Sequence, residues 1–302
     1  MHRIREDIQV NRESSSIGEE AMIYIRPVDK KELLELVAQP SFRKNNGQIL
    51  AGGSDLLVKI EHFGLKTGMI VDVKSIKSLR GITKKDNVIR IGSLTTLSDI
   101  LESKILSKNA PNLTQAAKNF AAIQMRNRST IGGNICNASP AGDLIPPLYA
   151  LEATLKLESQ RGIRTVNIQQ FFKGPGKTVL KPDELLSEIS FSALPSSTFS
   201  RFYKLGQRES MAIAVVSLAL NFNSENNRFK DVRIALGSVA PTVIRAKEAE
   251  KILEGTDISP EIVEKAAKIA AKECSPISDV RSSADYRRLM VLRLLPELLK
   301  IA

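Results

Sequence analysis

Two glycine pairs, eighty positions apart, stand in similar settings. "LAGGSDL" covers residues 50–56 and "TIGGN" covers 130–134. Each follows apolar residues and runs into small polar ones. Paired glycines let backbone N–H groups approach an anion closely and reach φ values closed to other residues. Ser54, Thr130 and Asn134 add side-chain donors. Either pair alone reads as a structural turn. Together, and with Asp55 beside the first, they suit the two phosphates of a dinucleotide. No GxGxxG follows a strand, so the nicotinamide type of Rossmann fingerprint is missing. "GPGKT" at 174–178 has Phe171 where a phosphate loop needs its first glycine, and reads as a β-turn.

The surrounding patterns predict a mixed α+β chain in two parts. "DKKELLELVA" predicts a helix behind Asp29 as N-cap, and "GQILAGGSDLLVKI" a strand at Gln48–Ala51, a turn and an apolar run. "GMIVDVKSI" reads as a buried strand. "NVIRIGSLTTLSDIL" gives a strand ending near Gly92 and a helix capped by Thr95 or Thr96, and "APNLTQAAKNFAA" is helical. "ATLKLES", "TVNIQQFF" and "ELLSEISF" read as strands. Beyond Pro195, "MAIAVVSLALNFN" and "FKDVRIALGSVA" suggest an antiparallel pair. Three helical segments follow: "AKEAEKILEG", "PEIVEKAAKIAAKE" and "SADYRRLMVLRLLPELLKIA". This places an N-terminal extension at 1–21, one domain at 22–195 and a second at 196–302. A chain of 302 residues is long enough for two cores.

Composition removes several kinds of chemistry. Two cysteines, Cys136 and Cys274, cannot make a four-cysteine cluster or a disulfide framework. Two histidines, His2 and His62, make a His-rich metal site or a Ser-His-Asp triad improbable. No run approaches the roughly 18 apolar residues of a membrane span. The polar start lacks the apolar block of a signal peptide, so the expected compartment is the cytoplasm. The net charge of +11 reads first as a solvated basic surface. Aromatics at 5%, not interleaved with Arg/Lys clusters, give no support to nucleic-acid binding.

Single residues remain open at this level. Asp143, just before an apolar segment, is either an N-cap or an acceptor for ribityl or ribose hydroxyls. Lys204 is by default a surface lysine, and Cys136 a small buried hydrophobe. Arg126 and Arg128 are either solvated or part of a docking face.

Taken together, "AGGSDL", "RNRSTIGGNICNASPAGDLIPPLYALEATL", "KLGQRESMAIAVVS" and "IALGSVAPTVIRAKEAEKIL" resemble the flavin-binding subunits of the molybdenum hydroxylases. That family includes xanthine, carbon monoxide, nicotinate and aldehyde dehydrogenases. The resemblance spans about residues 22–295. It implies the two-subdomain FAD-binding fold of the vanillyl-alcohol oxidase (PCMH) type. A CO dehydrogenase flavoprotein-type C-terminal domain follows, with a small antiparallel sheet and a three-helix bundle. Carried over by motif, Ile49, Leu50, Ala51, Gly52, Gly53, Ser54, Asp55, Leu56, Thr130, Ile131, Gly132, Gly133 and Asn134 surround the FAD phosphates. Phe120, Asp143, Leu185 and Lys204 fall at further FAD contacts.

The resemblance also implies partners. FAD is expected to be non-covalent and alone on this chain, with molybdopterin on a large subunit and [2Fe-2S] clusters on a small one. Electrons would reach FAD from the [2Fe-2S] subunit and leave to NAD+ or another acceptor, in a dimer of heterotrimers. "GPGK" before "DELL" slightly favours xanthine-type members. No catalytic acid, base or nucleophile and no metal ligand is expected here. Two other readings are a stand-alone FAD oxidoreductase of the same fold, and an assembly subunit with a vestigial site.

Overall fold

The computed structural model describes residues 22–208 and 211–300, so the expected extension at 1–21 lies outside the described residues. Strand β1 (Ile23–Ile25) leads through α1 (Lys30–Ala38) and α2 (Pro40–Lys44) to β2 (Gln48–Leu50). Asp29 caps α1 by accepting from the Glu32 N–H at 2.9 Å, as its position predicts. After β2 come α3 (Leu56–His62) and β3 (Met69–Asp72). The three strands form a parallel sheet in the order β1-β3-β2. Its central strand, MIVD, is buried throughout, as an apolar run covered on both faces must be.

A second sheet begins with the hairpin of β4 (Ile82–Lys85) and β5 (Val88–Gly92). Six short helices intervene: α4 (Leu97–Glu102), α5 (Lys104–Asn109), α6 (Pro111–Lys118), α7 (Ile123–Arg128), α8 (Ile131–Asn137) and α9 (Ile145–Ala150). Thr96 and Asp99 close a capping box on α4. Strand β6 (Thr154–Ser159) then pairs with β7 (Gly162–Asn167). "TVNIQQFF" is therefore strand only in its first half. Asn167 caps a helical turn, α10 (Ile168–Phe171), which buries Ile168 and Phe171 in the core beneath. A small ribbon, β8 (Phe172–Gly174) with β9 (Lys177–Thr178), carries the Gly-Pro-Gly turn. Strand β10 (Leu185–Ser192) completes the antiparallel order β4-β5-β10-β6-β7.

The two sheets are joined by buried charge. Glu158 on β6 meets Lys30 of α1 at 2.7 Å and Lys156 at 2.9 Å, and accepts from Ser187 Oγ at 2.7 Å. Burial alone would raise its carboxyl, but these partners hold it down at about 2.

Beyond residue 196, the third sheet contains a strand that the sequence pattern did not show. It is β11 (Phe199–Leu205), which pairs along its whole length with β12 (Val216–Glu225). β12 begins after "MAIAV", five residues later than the apolar run suggests. β13 (Arg228–Gly237) and β14 (Ile244–Arg245) complete the order β11-β12-β13-β14. The three expected helices are α11 (Lys247–Leu253), α12 (Pro260–Glu273) and α13 (Ala284–Leu299). They share a core with the sheet in which Phe222, Ile234, Leu253, Ala267 and Leu295 are buried.

Where β11 and β12 meet α6 and α9, buried amides pin the two halves. Asn221 Nδ2 donates to the Ala150 carbonyl at 2.9 Å, and its Oδ1 accepts from Asn112 Nδ2 at 3.1 Å. Gln115 Oε1 accepts from the Phe202 N–H at 2.7 Å. Replacing Asn221 with Leu strands the Asn112 amide and the Ala150 carbonyl away from water. The expected loss is about 1–3 kcal/mol in a urea unfolding titration.

Candidate functional site

The first glycine pair lies where β2 ends against Asp72 of β3 and the chain turns into α3. Gly52 is buried against the backbone of Arg128 and Ser129, and a Cβ there would overlap the Arg128 carbonyl. Gly53 has φ +80°, which glycine adopts without strain. Arg128 Nε donates to the Gly52 carbonyl at 3.3 Å, and Ser129 Oγ donates to Ser54 Oγ at 3.0 Å. These contacts hold the turn open. Among the described residues, the N–H groups of Gly52, Gly53, Ser54, Asp55 and Leu56 find no acceptor.

The second glycine pair is built differently. Gly132 and Gly133 form the first turn of α8, and neither has positive φ. Their N–H groups are used internally: Ile131 donates to the Thr95 carbonyl at 3.0 Å, Gly132 to the Ser93 carbonyl at 2.9 Å, and Gly133 to Thr130 Oγ1 at 3.0 Å. The expectation of two equivalent donor turns is thus corrected, because the helical first turn and its Thr130 cap consume the second set. What this segment contributes is room. A Cβ on Gly133 would meet only Thr130 Oγ1, at 3.0 Å, whereas one on Gly132 would press at 2.7 Å into the Ser93 backbone.

Between the two turns lies a cavity of about 340 Å³. It brings together eleven of the sequence-predicted residues: Ile49, Ala51, Gly52, Gly53, Ser54, Asp55, Leu56, Phe120, Thr130, Gly133 and Asn134. Leu50, Ile131 and Gly132 are buried behind it, and Leu185 packs in the core beneath the first sheet. Sequence reasoning missed Lys59, Ser129, Cys136 and Asn137, which also line the cavity. The helical spacing of Lys59 from Asp55, and of Asn137 from Gly133, was the available signal. Cys136 is half-buried on this lining rather than fully buried, and desolvation pushes its thiol up to about 12. A larger open cleft of about 780 Å³ lies at the end of the second sheet, between Lys84, Lys108 and Arg233, and contains none of the predicted residues.

Asp143 and Lys204 stand outside that lining but meet each other across the two halves. Lys204 Nζ, on β11, approaches Asp143 Oδ2 at 2.6 Å and lies 3.3 Å from the Asn119 carbonyl, next to Phe120. Both side chains are buried. Asp143 is therefore not an N-cap; Leu144 precedes α9 and no side chain caps it. Lys204 is not a surface lysine either. Asp143 Oδ1 and Asn134 Oδ1 are buried with no partner among the described residues, so each offers a lone pair to a ligand hydroxyl or amide. Burial outweighs the lysine and raises the Asp143 carboxyl from 3.8 to about 6. The arginines upstream of the second pair also serve the walls. Arg126 Nη1 donates to the Phe120 and Ala121 carbonyls at 3.0 and 3.1 Å.

With free backbone donors, an open helical glycine and two orphan acceptors, these residues fit a dinucleotide whose phosphates meet the first turn. Residues 15–193 match the family described as the FAD binding domain in molybdopterin dehydrogenase. Residues 201–302 match the CO dehydrogenase flavoprotein C-terminal domain. The chain is 35% identical over 242 residues to the xanthine dehydrogenase FAD-binding subunit of Escherichia coli O157:H7, covering 80% of this chain and 83% of that one. It is 33% identical over 272 residues to the carbon monoxide dehydrogenase medium chain of Hydrogenophaga pseudoflava, covering 90% and 94%. The solved structure of carbon monoxide dehydrogenase from Hydrogenophaga pseudoflava that lacks the Mo-pyranopterin moiety superposes with a TM-score of 0.87 at 33% identity, over 91% of this chain and 95% of that chain.

Two outcomes test the geometry. Asp143 holds its proton more tightly folded than unfolded, so its contribution to stability is full below about pH 4 and is lost as pH rises through about 6. Asp143→Asn should remove that component from melting temperatures measured across this window. Above about pH 6 it should also lower stability, because there it removes the carboxylate that compensates the buried Lys204 charge. Gly132→Ala should destabilise the fold by about 1–3 kcal/mol through overpacking, while Gly133→Ala should leave its melting temperature nearly unchanged.

Proposed function

We propose, for a chain that belongs to the FAD-binding subunits of the molybdopterin dehydrogenase family, that it works as the flavin-bearing electron carrier of a three-subunit hydroxylase. The observation that carries the reading is the row of five unpartnered N–H groups on a cavity of about 340 Å³, in a chain of this family. When bound, FAD supplies the redox chemistry, between electrons arriving from a [2Fe-2S] partner and an acceptor such as NAD+.

The chain's own residues bind and orient. Gly52 through Leu56 direct their N–H groups to the diphosphate. Gly133 leaves space for it, and Thr130 and Asn134 flank it. Phe120 supplies an apolar wall, with the Lys204–Asp143 pair behind it and Asp143 Oδ1 open to a hydroxyl. Leu50, Ile131, Gly132 and Leu185 act from behind, by packing. Residues 22–195 form the flavin-binding unit in this reading, and 196–302 the unit that closes it through Lys204.

Among the described residues, the titratable side chains on the cavity are Asp55, Lys59 and Cys136, and no histidine lines it. Among the described residues, no group of three or more His, Cys, Asp and Glu side chains could hold a metal. By the family resemblance, the substrate chemistry is assigned to a large molybdopterin subunit, and the whole to a dimer of heterotrimers. The xanthine type is favoured by the 35% identity to the Escherichia coli subunit and by "GPGK" before "DELL". Cys136 and Cys274 are free thiols, which accords with the reducing cytoplasm.

Flavin attachment is non-covalent in this reading. His62 is exposed at the end of α3 and does not line the cavity. Acid precipitation should therefore release all yellow colour into the supernatant; colour kept on the pellet would contradict it. The partnership is tested by expressing the chain alone and with its large and small subunits. Alone, it should bind FAD and reduce dyes only weakly. In the complex, substrate should bleach the flavin band. Rapid, substrate-specific turnover by the chain alone would instead favour a stand-alone flavoenzyme.

A further inference from the structure

We infer that Lys59 is the counter-cation for the dinucleotide diphosphate and that Asn137 positions it, an inference that rests on the flavin reading above. Among the described residues, the cavity is lined by a single cationic side chain, Lys59, and a single carboxylate, Asp55. The free N–H groups of Gly52–Leu56 carry only partial charges, whereas a diphosphate brings about two full negative charges. The lining therefore holds one full positive charge available for compensation, and what decides its use is whether Asp55 neutralises it.

Asp55 and Lys59 are four residues apart, with the acid N-terminal. On a helix, this is the favoured spacing for a direct ion pair. The pair does not form. Asn137, at the end of α8, stands between them. Its Oδ1 accepts from Lys59 Nζ at 2.6 Å, and its Nδ2 donates to Asp55 Oδ1 at 3.0 Å. The partners fix the amide orientation, because an ammonium can only donate and an ionised carboxylate only accept. Asn137 thus occupies the acid with a neutral donor and holds the ammonium on the cavity wall. Two of the three ammonium donors remain free. Asn137 also ties the two turns together, since Asp55 and Lys59 belong to the first and Asn137 to the helix that begins at the second. No residue of α3 is buried, so substitution at Lys59 removes a charge without removing a core contact.

The test uses the full-length chain stripped of flavin, titrated with FAD at several ionic strengths, with ADP and AMP as competing probes. Lys59→Ala should weaken FAD binding roughly tenfold at low salt, the cost of one charge-assisted hydrogen bond. It should also flatten the salt dependence, because the lost interaction is an exposed and screened one. The preference for ADP over AMP should narrow in the same variant. Lys59→Arg should recover most of the affinity. Asn137→Ala should lose affinity and ADP preference together, while a merely structural role would leave that preference unmoved. If Lys59→Ala melts like the wild type and binds FAD with unchanged affinity and salt dependence, the assignment is overturned while the flavin reading stands. If the wild-type chain binds no FAD, the flavin reading falls and takes this inference with it.

Discussion

Everything at the site depends on the approach of two backbones, Gly52 against Arg128 and Ser129. The fit leaves no space for a side chain at Gly52. It allows Arg128 and Ser129 to grip the turn from outside, by the Gly52 carbonyl and the Ser54 hydroxyl. A turn gripped by its acceptors and side chains keeps its N–H groups free. Buried or half-buried amides without partners are costly and rare. Four of the row of five lie on buried or half-buried residues, which points to an anion, and the parallel sheet beneath fixes where that row begins.

The two glycine pairs that look alike in sequence do different work. The first supplies donors, with one glycine in the left-handed region. The second supplies clearance at Gly133 and close packing at Gly132, and it spends its own donors on Ser93, Thr95 and Thr130. The Lys204–Asp143 pair then sets a third condition. Because Lys204 comes from β11 and Asp143 from the loop before α9, the walls next to Phe120 are complete only when both halves of the chain are docked. The Asn112–Asn221 contact maintains that docking from the far side of the same junction.

Much of this was legible in the sequence because periodicity and glycine chemistry are local. The caps at Asp29 and Thr96, the buried strand MIVD and the three C-terminal helices follow from short windows. The remainder depended on contacts between distant residues. A glycine pair in a helical first turn has the same letters as one in an open turn; only Thr130 as a cap distinguishes them. β11 mixes Phe and Tyr with Arg and Lys, and its partner strand decides its state. Asp143 and Lys204 are sixty-one positions apart, so neither the loss of the cap role nor the burial of the lysine could be read from its neighbours. Lys59 lies on an exposed helix face, and nothing near it in sequence points to Asn137, which links it to Asp55.

The division of labour between the two turns can be measured residue by residue by amide hydrogen exchange, with and without FAD. The account requires FAD to slow exchange strongly at Gly52–Leu56, whose N–H groups have no acceptor among the described residues. It requires little change at Ile131–Gly133, whose N–H groups are already bonded. Protection gained at Ile131–Gly133, with none at Gly52–Leu56, would contradict it.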